Sequence, residues 1–169
     1  MNENTDPTFQ LLIDADIVYH RAAFSCEDTY DFGDDAIRVV DDHEVLRVFD
    51  GLLVGIFEEL NPLSYILCWS DTHTFRHDIF PEYKLNRQNV RRPVCVPEVK
   101  QILMKKYPSV LVNGLEADDL MGMFSSHTSI ICSDDKDLLT VPGFHYKPRK
   151  RELGVFRVSV EEADRLHLK

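Results

Sequence analysis

The chain has 169 residues, a formal net charge of −10, and a composition 44% hydrophobic and 28% charged, which suits one water-soluble domain with a sizeable core. No apolar run approaches the ~20 residues of a membrane helix, and the polar, acidic stretch from Met1 to Gln10 has neither the basic nor the apolar part of a secretory signal. Cys26, Cys68, Cys95 and Cys132 form no C-x-x-C pair, so reduced thiols and a cytoplasmic setting are expected.

In chain order, Phe9 to Ile13 reads as a buried strand ending at Asp14. Asp16 is placed to cap a helix running to about Phe24, and Ser25 to Asp35, rich in Asp, Gly and Ser, reads as a loop. Val45, Val48, Phe49, Leu52, Leu53, Ile56, Phe57 and Leu60 recur at helical spacing, so Asp42 to Leu60 is expected to be an amphipathic helix that Asn61-Pro62 stops. Tyr65 to Trp69 is a second strand, followed by Asp71. Pro81, Pro93 and Pro97 break the stretch from Arg76 to Val96 into short helical pieces and loop, a segment expected to order on binding. Pro97 opens a helix to Lys106. Val110 to Val112 is a strand, Glu116 to Ser125 a helix, and Ser129 to Cys132 a fourth buried strand, with a turn of helix around Lys136. Phe144 to Lys147 and Val155 to Val158 read as strands and Glu161 to His167 as a helix. Strands alternating with helices predict an α/β three-layer sandwich on a mainly parallel sheet.

Charge is unevenly spread. Residues 1–60 carry 15 acids and 3 bases, whereas residues 76–106 carry 8 Lys/Arg against 3 acids. A basic segment beside an acidic region suits a protein that holds phosphate and cations together, although a charge run more often solvates a surface.

Three apolar runs end in acids: at Asp14, at Asp71, and at Asp134-Asp135. A fourth acidic group, Glu116-Ala-Asp118-Asp119, opens a helix after a strand. In a parallel sheet these points share the carboxyl edge, where ligands bind. Asp14, Asp71, Glu116, Asp118, Asp119, Asp135 and Asp137 could then converge. Any one of them alone is better read as a helix cap, a dipole partner or a loop acid. Together they would repel unless protonated or neutralised by cations. Oxygen-only donors favour Mg²⁺ or Mn²⁺, and two such ions suit phosphodiester hydrolysis. There is no zinc spacing, no phosphate-binding G-x-x-x-x-G-K-[ST] and no G-x-S-x-G.

Leu12-Ile-Asp14-Ala-Asp16, Leu115-Glu-Ala-Asp-Asp-Leu-Met-Gly122, Ser133-Asp-Asp-Lys-Asp137 and Phe75-Arg-His-Asp-Ile-Phe-Pro-Glu-Tyr-Lys-Leu-Asn-Arg87 together resemble the motifs of the 5′-nuclease (flap-endonuclease) superfamily, in family order over residues 11 to 168. The chain is similar to phage 5′-to-3′ exonucleases and to the 5′-nuclease domain of DNA polymerase I. The resemblance implies a PIN-like fold in a single domain over 1–169, with an arch over about 72–96. It implies a DNA partner bearing a 5′ end or flap. Asp14, Asp71, Glu116 and Asp118 would hold one Mg²⁺ (or Mn²⁺) or its waters, and Asp119, Asp135 and Asp137 the second or its outer shell. Asp118, Lys84 and Arg87 would be catalytic, the last two on the scissile phosphate. Arg76, Tyr83, Arg91 and Arg92 would join them on the nucleic acid, with Tyr83 stacking on an unpaired base. Asp16 and Asp134 are extra acids beside the matched positions. The family continues into a helix–turn–helix part that this sequence lacks, so the alternatives are a subunit completed by a second polypeptide and a PIN-type ribonuclease.

Overall fold

The computed structural model describes residues 9–33, 36–80, 82–83, 91–94 and 96–167. Its main sheet holds β1 (Gln10–Asp14), β4 (Ser64–Trp69), β5 (Ser109–Leu111), β6 (Ser129–Cys132), β7 (Gly143–Tyr146) and β8 (Phe156–Val158), in the order β5-β4-β1-β6-β7-β8. All neighbours are parallel except the β7–β8 pair. The central strand β1 pairs on both sides, with Asp14 opposite Cys68 and Ile13 opposite Cys132.

Strand alternation splits the core into two faces. Leu11 and Ile13 point to one face, with Leu67, Trp69 and Tyr146. There they meet α1 (Ala15–Ser25), α2 (Asp42–Leu60) and α4 (Pro97–Lys106), through Val18, Phe49, Leu53 and Leu103. Leu12, Cys68 and Ile131 point the other way, onto Leu120 and Met121 of α5 (Ala117–Phe124) and onto Leu138. On this side α6 (Val160–His167) packs against the 3₁₀ turn Asp137–Thr140. The result is the expected three-layer sandwich. Each fully buried Leu or Ile contributes about 2 kcal/mol by leaving water. Trp69, the largest of the fully buried side chains among the described residues, stacks on Phe49 with ring planes 12° apart.

Two expectations change. Ser25 to Asp35 is not all loop: Glu27–Asp31 forms β2, paired antiparallel with β3 (Ala36–Val40) in a hairpin. Its strands are largely solvent-exposed, so they lack the apolar alternation that marks a half-buried strand. The cap of α1 is Asp14, whose carboxylate accepts from the Ile17 N–H at 3.2 Å, rather than Asp16. The helix starts one residue after the strand ends, so the strand's last residue takes the capping position. Helices α2 and α4 run over the expected residues. A short helix, α3 (Phe75–Ile79), opens the basic segment.

Candidate active site

The carboxyl ends of β4, β1 and β6 are adjacent, and the acids after them gather along that edge. Asp14 is 7% exposed. One oxygen caps α1, and the other accepts the Ser133 hydroxyl at 2.9 Å. Ser133 Oγ in turn accepts the Asp135 N–H at 3.0 Å, which ties the end of β6 to β1. Burial, above all, raises the Asp14 carboxyl to about pH 7, with Asp16 and Asp135 adding like charge. Asp135 accepts the Asp137 N–H at 2.9 Å, and Asp137 itself is exposed.

Across the edge, Glu116 stands in the N-cap position of α5 and is 6% exposed. Asp119 accepts the Glu116 N–H at 3.0 Å, and Asp118 accepts the Asp119 N–H at 3.0 Å. Burial and the charges of Glu116 and Asp119 raise the Asp118 carboxyl above its ordinary range. Arg76, from α3, offsets part of this charge. It donates to both oxygens of Asp119 and stands 3.9 Å from Glu116. The Tyr83 hydroxyl donates to Glu116 at 3.1 Å.

Asp71 braces the loop between these groups. Its oxygens accept the N–H groups of Gly114 (2.8 Å) and Thr72 (2.7 Å), which hold its carboxyl below the usual range. Its own N–H donates to the Leu115 carbonyl at 2.9 Å. Gly114 has a φ of +81°, the left-handed region that glycine enters without strain.

The expected substrate residues divide. Lys84 and Arg87 lie outside the described residues. Arg76 and Tyr83 turn inward onto the acids of α5. Arg91 pairs with Glu27 of the hairpin and lies over the Phe24 ring at 5.4 Å, while Arg92 is exposed and lends its carbonyl to Arg38 at 3.0 Å. The two extra acids have partners. Asp16 pairs with Lys100, and Asp134 accepts the Arg149 N–H at 3.0 Å. Among the described residues no three His, Cys, Asp or Glu side chains are already drawn into a metal cage. The fit to a hard cation rests on chemistry: oxygen donors only, crowded, with Asp14 and Asp118 pushed upward by burial and like charge.

Residues 10–151 match the family described as 5′-3′ exonuclease, N-terminal resolvase-like domain, and the chain belongs to that family. It is 33% identical over 115 residues to DNA polymerase I of Borreliella burgdorferi, covering 62% of this chain and 13% of the polymerase. It is 32% identical over 87 residues to the exonuclease of Escherichia phage T7, covering 46% of this chain and 29% of that protein. The matched part is therefore less than a third of either relative. The fold is shared with the bacteriophage T5 protein crystallised with metal ions, at a TM-score of 0.62 and 13% identity over 94% of this chain and 60% of that one. The T5 flap endonuclease in a pseudo-enzyme-product complex with DNA and metal ions superposes at a TM-score of 0.56 and 13% identity, again over 94% and 60%. None of these comparisons supports a second polypeptide. Among the described residues no helix is long and apolar enough to cross a membrane.

Proposed function

We propose that this chain is the metal-binding part of a 5′-to-3′ exonuclease or flap endonuclease that hydrolyses DNA phosphodiesters with two Mg²⁺ or Mn²⁺ ions. The observation that carries this reading is the row of carboxylates along one sheet edge, two of them raised by burial and like charge, in a chain of the 5′-3′ exonuclease family. Asp14, Asp71, Glu116 and Asp118 would hold one ion or its waters, and Asp119, Asp135 and Asp137 the other or its surroundings. Bound there, the ions would neutralise the acids and supply Lewis-acid stabilisation of phosphoryl charge.

The protein's own residues prepare the edge for this. Asp14 and Glu116 are buried in place at the ends of β1 and the start of α5. Ser133 orients Asp14, and Arg76 balances Asp119. Lys84 and Arg87 would hold the scissile phosphate. Tyr83, now on Glu116, would stack on an unpaired base by turning toward the substrate. Contacts of this kind read phosphate and shape rather than sequence, which suits selection of a 5′ end or flap. The single domain with an arch over about 72–96, and a cytoplasmic setting in which the chain's own cysteines stay reduced, belong to the same reading. A side-by-side digestion tests it. With Mg²⁺ the chain should cut 5′-flapped DNA and leave single-stranded RNA intact; preferential cutting of the RNA would favour a PIN-type ribonuclease instead.

A further inference from the structure

Asp16 lies two residues after Asp14 on α1. Asp14 ends β1 in extended backbone and its carboxylate serves Ile17 and Ser133, whereas that of Asp16, the second residue of α1, serves other elements. Both its oxygens are engaged there. Oδ2 accepts the Ser70 N–H at 2.7 Å, and Oδ1 accepts Lys100 Nζ of α4 at 3.1 Å. Lys100 also donates to the Ser70 carbonyl at 3.0 Å and sits 5.1 Å from the Trp69 ring centroid. The acid–base pair thus grips both backbone polar groups of Ser70, the first residue beyond β4. The Ser70 hydroxyl accepts the Ala117 N–H, the first residue of α5, at 3.0 Å. Ser70 is therefore held by α1 and α4 on its backbone and holds α5 with its side chain. On either side of it stand Trp69, fully buried, and Asp71.

We infer that Asp16 and Lys100 are a positioning pair: they ligate no metal and instead set, through Ser70, where Asp71 and the Glu116-to-Asp119 turn stand. The inference rests on the reading of those acids as a metal centre. It distinguishes itself from a direct role by sign. A lysine that merely added positive charge near the acids would weaken cation binding, and removing it would tighten that binding. A lysine that positions the acids does the reverse, because loss of an outer partner of metal ligands costs about 10- to 100-fold in affinity.

Calorimetric titration with Mn²⁺ decides the matter, using the full chain, Lys100→Met, Asp16→Asn, the double variant and Asp118→Asn. Metal-free melting curves of each check folding. Lys100→Met is expected to bind Mn²⁺ about tenfold more weakly or worse, and Asp16→Asn similarly. The double variant should be no weaker than the worse single one, because both act through Ser70. Lys100→Arg, which keeps charge and donors, should recover most of the loss. Should Lys100→Met fail to fold, Ser70→Ala carries the test, since it removes only the hydroxyl on Ala117 and should still weaken Mn²⁺ binding. Unchanged or tighter binding by Lys100→Met, or by Ser70→Ala in its place, overturns the inference. A parent chain that binds no Mn²⁺, or that binds it as well with Asp118→Asn, overturns the metal-centre reading and the inference with it.

Discussion

Arg76 Nη1 and Nη2 donate to Asp119 Oδ2 and Oδ1, each at 2.6 Å, so one guanidinium closes on both oxygens of one carboxylate. The pair joins α3, at the start of the basic segment, to the first turn of α5. Its side chains are 28% and 19% exposed, so solvent screens it only in part. Asp119 and the neighbouring Glu116 are what hold the guanidinium charged beyond its ordinary range.

Removing that guanidinium should leave three acids crowded without it. Arg76→Ala is expected to destabilise the metal-free chain by about 1–3 kcal/mol. Arg76→Lys should recover little, because an ammonium cannot span both oxygens. Added Mg²⁺ should raise the melting temperature of Arg76→Ala more than that of the parent, since the ion meets less competition. Thermal melts with and without Mg²⁺ measure both effects. An equal metal response in the two proteins would separate Asp119 from the metal-binding acids.

Asp14 makes stability depend on pH. Its carboxyl is raised from 3.8 to about 7 by burial, so the folded state holds the proton more tightly than the unfolded one. The stability this adds is fully present below the unfolded value of 3.8 and is lost as pH rises through about 7. Linkage puts the whole loss at roughly 4 kcal/mol in the metal-free chain. Asp118 moves in the same direction for the same first cause. Urea unfolding without metal should therefore show falling stability between about pH 4 and pH 8, a slope that Asp14→Asn flattens. Mg²⁺ should flatten it too, because the cation competes with the proton for the same oxygens.

The β2–β3 hairpin holds residues 91–94 through one acid. The Glu27 side chain is 1% exposed and pairs with Arg91 and Arg38, and it accepts the Val94 N–H at 3.0 Å. Its bonded carboxylate is held below the ordinary range, first by the Val94 amide. Glu27→Ala should release that amide. Hydrogen exchange at Val94 is expected to quicken by about tenfold, with amides in α2 unchanged. Unaltered protection at Val94 would show that the segment is held by something else.

Much of this architecture is legible in the sequence because apolar periodicity follows burial. Helix α2 buries Val45, Phe49, Leu53 and Ile56 on one stripe, and the helix ends where Asn61 turns left-handed at φ 44°. Strands β1, β4 and β6 read as apolar runs because both faces are covered. The hairpin was not legible because Tyr30 and Ile37, paired across it, are both about half exposed, so no core imposes a pattern on its strands. The acids at the strand ends were visible through the parallel-sheet rule. What each acid touches was not. The pairing of Arg76 with Asp119 spans 43 residues, and that of Asp16 with Lys100 spans 84. Such contacts are set by which helices the fold brings together, and no local pattern encodes them.

The central claim is that these carboxylates hold the metal that cuts DNA from its 5′ end. The most direct measurement follows duplex and 5′-flapped DNA labelled at either end, with Mg²⁺, with Mn²⁺ and with chelator, beside the Asp118→Asn chain. The account predicts release from the 5′-labelled end that needs the divalent ion and disappears in the variant. Cleavage by Asp118→Asn at the parent's rate, or cleavage that persists in chelator, would contradict it.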